Sequence, residues 1–225
     1  MSIFEFIKNK INTKNKYDVI YSIGADCGCA GNLKRFKLRI TSGPFDWLFK
    51  ASLEQRFVCL MNDFADFLNI EDFEKFEKDA NAKLQDNKHD YYFNTKTGFQ
   101  FLHDFPIDSD LREVFPSVKE KYERRIARFL NNVHDNDKKV LLVWFSLREK
   151  IDPKSIVEKC NEYCSKLGRG IDFAFIENNT VIGGIEKHEI SSNVTLYKGN
   201  FVTNKDLVNG NKKVCAKVFK QFGIK

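Results

Sequence analysis

The 225-residue chain contains no apolar run near the ~20 residues that a membrane-crossing helix needs. Its N-terminal segment, MSIFEFIKNKINTKNK, lacks the long apolar core and the small-residue cleavage site of a secretory signal. It reads instead as a short helix packed on the domain. No GxxxxGK[ST] or GxGxxG loop is present, so the usual phosphate cradles are excluded. No nucleic-acid-binding fingerprint appears either, and the net charge of +6 is spread among interspersed acids and bases. Histidine is scarce, with four residues at 89, 103, 134 and 188. The six cysteines lack zinc-ligand spacing: Cys27-x-Cys29 is too tight, and Cys160 and Cys164, one helical turn apart, have no third ligand nearby. Scattered thiols without an export signal fit a reducing cytoplasm, and neither metal nor cofactor is expected.

What the chain does have is phenylalanine, 22 residues of it, enough for an aromatic core in an otherwise Lys-rich sequence. The stretch from Tyr17 to Trp47 organises the rest. An apolar β-type run, Val19 to Ile23, stops at Gly24, and a short loop delivers Cys27 to the start of a basic helix over 30–37. The stretch closes on Ser42-Gly43-Pro44-Phe45-Asp46-Trp47, whose Gly-Pro step signals a turn. Helical spacing predicts helices over 51–68, 116–133, 153–167 and 214–222, with a further charged helix over 71–84. Aromatic runs at 91–93 and 99–102 around Gly98 predict a hairpin. KVLLVWFSL (139–147) reads as a fully buried strand, and IDFAFI (171–176) and 193–197 as further strands. The expected fold is one α/β domain over 1–225, with a mostly parallel central sheet flanked by helices. A helical and hairpin insertion over approximately 51–133 is a candidate cap or lid.

Cys27 is the candidate nucleophile. A thiol at a helix start meets unsatisfied N–H groups and the positive end of the helix dipole, which favour thiolate and can hold an oxyanion, with Gly28 as one donor. The bland alternative is a packed thiol, the commoner fate of free cysteine, and the one expected for Cys29. His103, at the end of an aromatic strand, is the best base, and His188 the second choice. Asp104 and Asp46 compete to orient the imidazole. Asp104 follows His103 directly and serves only if the chain turns there, while Asp46 has the ordinary role of a turn carboxylate as its alternative. Ser42, Gly28, Trp47 and Arg39 are placed nearest the substrate.

The pattern S-I-G-A-D-C-G-C-A-x-x-L, then L-R-x-x-S-G-P-F-D-W, then F-L-H-D-F at 101–105 resembles a family of mostly bacterial proteins described as papain-like cysteine peptidases. The resemblance implies Cys27 as nucleophile, His103 as base and Asp104 or Asp46 as acid, acting on a peptide. The strand–Cys–helix order is closer to open α/β sheets, whose relatives include thiol acyltransferases and esterases. An acyl-bearing glycan or small metabolite is therefore the alternative substrate, with Lys34, Arg35 and Arg39 available to an anionic donor. A non-catalytic interaction domain is the third reading.

Overall fold

In the computed structural model, residues 15–77, 88–202 and 210–225 are described. Three sheets and five helices order these residues. In chain order they are β1 (Asn15–Tyr17), β2 (Val19–Ser22), α1 (Cys27–Arg35), β3 (Leu48–Lys50) and α2 (Leu53–Met61). Next come β4 (Phe73–Phe76), β5 (His89–Asn94), β6 (Phe99–Pro106) and α3 (Leu111–His134). The remainder are β7 (Val140–Ser146), α4 (Pro153–Leu167), β8 (Asp172–Asn178), β9 (Ile185–Glu189), β10 (Val194–Gly199), α5 (Lys212–Phe219) and β11 (Phe222–Ile224).

The central sheet has the order β2-β7-β8-β10-β9. Its first four strands are parallel and β9 runs antiparallel at the edge. All seven residues of β7 are buried, as a strand covered on both faces requires. Side chains alternate between two cores. Leu141, Val143 and Phe145 face α1 and α5, while Leu142 and Trp144 face the opposite core with Tyr122, Phe129, Ile156 and Tyr163. The α/β expectation, with a parallel sheet between helices, is met.

The insertion differs in detail from the sequence reading. Residues 48–106 build a second, four-stranded antiparallel sheet, β3-β6-β5-β4. The helix expected over 71–84 is replaced in its first part by strand β4, whose Phe73 is buried against Phe101, Phe105 and Phe115. The rest of that segment, 78–87, lies outside the described residues, as does the N-terminal helix expectation. The helix expected to reach Leu68 stops at Met61. Asp63 and Phe64 take positive φ, and the chain turns there to place Phe64 and Phe67 edge-on to each other beneath Phe45. Short strands β1 and β11 pair in parallel, a contact with no periodicity for a sequence reading to detect.

Candidate functional site

The end of β2 forms a tight corner. Ser22 Oγ accepts the Gly24 N–H at 3.1 Å, and a Cβ at Gly24 would stand 2.2 Å from Cys29 Cβ, so only glycine fits. Asp26 then caps α1, its Oδ1 accepting the Gly28 N–H at 2.7 Å. Cys27 is the first residue of the helix, three positions earlier than the expected helix start, and is half-buried. The nucleophile candidate thus stands at a helix N-terminus, at the C-terminal edge of the central sheet. Open α/β sheets hold their ligands at this edge.

The other thiols are set apart by burial. Cys29 is fully buried and donates to Val143 O at 3.3 Å. Burial pushes its thiol up to about 12, and Cys59 likewise to about 12. Cys160 and Cys164 are also raised by burial, and Cys215 is raised to about 11. No disulfide joins any of the six cysteines.

Beneath the corner lies Arg56 of α2, fully buried. It donates Nε–H to Ala51 O and Nη2–H to Ala25 O, both at 3.1 Å, and lies over the rings of Phe45 and Phe99. Nη1 has no hydrogen-bond partner. Desolvation lowers this guanidinium to about 10, opposed by the charges of Asp26 and Glu149, so it stays protonated at neutral pH. Sequence reasoning passed over Arg56, yet a signal was present: it shares a helical face with Leu53 and Leu60, three residues after one and four before the other. The loop after β7 closes the corner. Ser146 Oγ accepts the N–H groups of Arg148 and Glu149, and Glu149 in turn accepts the Leu53 N–H at 3.3 Å. Burial raises the Asp26 carboxyl, against the Gly28 hydrogen bond and the Arg56 and Arg148 charges, which act to lower it.

Four of the sequence-selected residues come together in the turn after α1. Asp46 Oδ2 accepts from Arg39 Nε at 2.6 Å and from the Gly43 N–H at 3.1 Å. Arg39 also reaches Ser42 Oγ at 2.6 Å and lies over the Trp47 ring at 5.6 Å. Asp46 Oδ1 is buried without a hydrogen-bond partner. Burial raises this carboxyl, outweighing Arg39 and the Gly43 bond.

His103 lies in a stretch of β6 where the register with β5 shifts, and it is exposed. Its ring packs against Phe49 at 6.1 Å and His89 at 6.2 Å. Asp104 faces the other way, onto α3, where Lys121 Nζ and Tyr122 Oη donate to it. The strand alternation that made the His103–Asp104 pair doubtful therefore appears as two residues with different surroundings. The second-choice base, His188, is exposed on β9 beside Glu186.

Comparison with known proteins decides the family. The family described as "Putative papain-like cysteine peptidase (DUF1796)" matches residues 18–176, well over half of the chain. The chain belongs to that family. The papain-like family match takes in β2, the Cys27 corner, the Arg39–Trp47 turn, the second sheet and the central strands β7 and β8. "Uncharacterized protein R408" of Acanthamoeba polyphaga mimivirus is 26% identical over 166 residues, covering 69% of this chain and 74% of that protein. No solved structure matches. Among the described residues no three His, Cys, Asp or Glu side chains form a metal-holding group, and no helix is long and apolar enough to cross a membrane.

Proposed function

We propose that this protein is a cysteine hydrolase in which Cys27 attacks a carbonyl carbon and His103 carries the proton. The observation that carries the reading is the position of Cys27 as first residue of α1 at the sheet's C-terminal edge, inside the family match. Arg56 supports the pairing with His103. It ties Ala25 to Ala51; Cys27 and Phe49 each lie two residues, at most roughly 7 Å, from those two held carbonyls. The His103 ring packs edge-on against Phe49.

In this scheme the Cys27 sulfur bonds to the substrate carbonyl carbon and its proton passes to His103. The N–H groups of the first turn of α1 receive the oxyanion. The Gly28 N–H is held by Asp26, so the oxyanion competes with that carboxylate for it. His103 then protonates the leaving group, and water, giving up a proton to His103, cleaves the acyl–sulfur bond. Asp46 is the favoured acidic partner. It and His103 both lie two residues beyond the Leu48–Phe101 pair of β3 and β6, and its Oδ1 has no hydrogen-bond partner. Asp104, held by Lys121 and Tyr122, is the alternative.

A second reading, acyl or ester transfer to a glycan or small metabolite, draws on the open parallel sheet with the thiol at its ligand-binding edge. The two separate in one experiment. The protein is incubated with a peptide pool or with acyl thioesters, and the acyl adduct on Cys27 is read by mass spectrometry. A peptidyl adduct that clears in water supports the hydrolase, and an adduct that forms from thioesters and clears on an added alcohol supports transfer. No adduct from either, with Cys27 alkylation rates unchanged in His103→Ala, refutes both.

A further inference from the structure

A fully buried cation normally has a carboxylate hydrogen-bonded to it, because a desolvated unpaired charge is among the costliest things a fold can contain. Arg56 departs from this. Its two hydrogen bonds go to neutral backbone carbonyls, its planar faces rest on Phe45 and Phe99, and Nη1 has no partner. No carboxylate oxygen hydrogen-bonds to it among the described residues. Asp26 and Glu149 act on it only as nearby charges. One of its two carbonyl partners belongs to Ala25, in the loop that leads into Cys27.

We propose that Arg56 is the positioning residue of this site: it fixes the 24–27 corner on the β3–α2 junction, and its charge is matched by the negative charge Cys27 carries when it reacts. The inference rests on the hydrolase reading for the role of Cys27. The geometry explains two otherwise unconnected facts. The first is a charged side chain within the apolar face of α2. The second is the immobilisation of the chain on both sides of the junction, through Ala25 on one strand end and Ala51 on the other. A structural arginine could hold the same two carbonyls; a positioning one must also change what the thiol does.

The charged and titratable groups around the corner are known. Asp26 and Cys29 come from the start of α1, Asp46 from the turn after α1, Arg148 and Glu149 from the loop after β7, and Cys59 from α2 itself. All are retained in the test. The rate of Cys27 alkylation by iodoacetamide is followed from pH 5 to 10 by peptide mass spectrometry in wild type, Arg56→Met and Arg56→Lys. Arg56→Met fills the site with apolar volume and removes the charge. Its midpoint is expected to rise by about one unit, which slows alkylation ~10-fold near neutral pH. Arg56→Lys keeps the charge but cannot span both carbonyls, and is expected to recover part of the loss.

A Met profile that superimposes on wild type overturns the proposal. So does a Lys variant no faster than Met, and so does loss of fold in both variants by circular dichroism, which would make Arg56 purely structural. Failure of the hydrolase reading looks different. There the wild-type midpoint is that of an ordinary thiol and is unmoved by His103→Ala, whereas the Arg56 inference is judged only on the difference between wild type and its own two variants.

Discussion

Replacing Asp46 separates charge from hydrogen bonding in the turn that carries Arg39, Ser42 and Trp47. In Asp46→Ala the buried Gly43 N–H loses its acceptor, which costs about 1–3 kcal/mol. Arg39, whose side chain is only 12% exposed, loses its carboxylate and keeps Ser42 and the Trp47 face. Breaking a fully buried pair costs about 3–5 kcal/mol, and the partial exposure of Arg39 argues for the low end. Because Arg39 and Gly43 share Asp46 Oδ2, the two losses overlap rather than add, and the expected loss is about 3 kcal/mol. For a chain of this size that lowers Tm by roughly 6–12 °C. Asp46→Asn keeps an acceptor for Gly43 and for Arg39, and its expected cost is about 1 kcal/mol or less, because a neutral amide avoids the desolvation that raises the Asp46 carboxyl.

The same contrast has a pH signature. A carboxyl raised in the folded state binds its proton more tightly there than in the unfolded chain. Its stabilising contribution is complete below the unfolded pKa and is lost as pH rises through the folded one. Asp26, raised by burial as well, gives the same sign. Asp46→Asn should therefore flatten, without abolishing, the fall of stability with rising pH just above the ordinary carboxylate range. The assay is urea unfolding followed by tryptophan fluorescence between pH 3.5 and 7. Equal destabilisation by Asn and Ala, or an Ala variant within about 0.5 kcal/mol of wild type, would refute the account, since surface-like substitutions fall within that margin.

Other expectations are more direct. Mass spectrometry of the native protein after a brief alkylation at pH 9 should show Cys27 modified and half-buried Cys164 partly so. Cys29 and Cys59, held near 12 by burial, should stay unmodified until the protein is unfolded. His103→Ala should reduce Cys27-dependent turnover ~10²–10⁴-fold while leaving the melting temperature close to wild type, because the side chain is exposed. Gly24→Ala should cost at least about 1–3 kcal/mol in chemical denaturation, since the added methyl meets Cys29 Cβ, which no rotamer can move away. Tyr122→Phe removes a hydroxyl that donates to Asp104 from a fully buried ring, and about 1.5–3 kcal/mol should go with it.

Much of this architecture could be read from residue order. β7 and β8 are long apolar runs with one assignment open to them, and Asp152-Pro153 and Gly168 mark both ends of α4, where the structure shows a side-chain cap and a left-handed C-cap. The hairpin of β5 and β6 followed from aromatics flanking Gly98, whose φ is +79°. The misses share a cause. β3, β4 and β9 are only three to five residues long, too short for alternation to stand out, and they exist because neighbouring strands offer a ladder. β4 carries Phe73 and Phe76 three apart, a spacing that also suits a helix, and pairing with β5 decides between the two. At the site, the strand break at Gly24 and the thiol just before a helix were legible because they are local chemistry, whereas the Asp26 cap and the helix start at Cys27, three residues before the expected one, were not read. The Arg56 clamp was not legible, because it joins α2 to the loop before α1, segments that meet only after packing; the Arg39–Asp46 ion pair, seven positions apart, depends on how the turn between them closes.

The insertion also imposes an order on biosynthesis. Val19 of β2 pairs with Val140 of β7, so 140 − 19 = 121 positions separate partners that lie side by side in the finished sheet. Closing a loop of that length from an open coil costs on the order of 4 kcal/mol, less once the second sheet has collapsed and shortened the span. As the polypeptide leaves the ribosome, β2 has no neighbour in the central sheet until β7 has followed it out. The carbonyl of Val143, which receives the Cys29 thiol, arrives at the same moment. A nascent chain thus carries its thiol corner half-built until β7 has followed β2 out, and Cys27 reaches its folded surroundings only in a chain that has already closed around it.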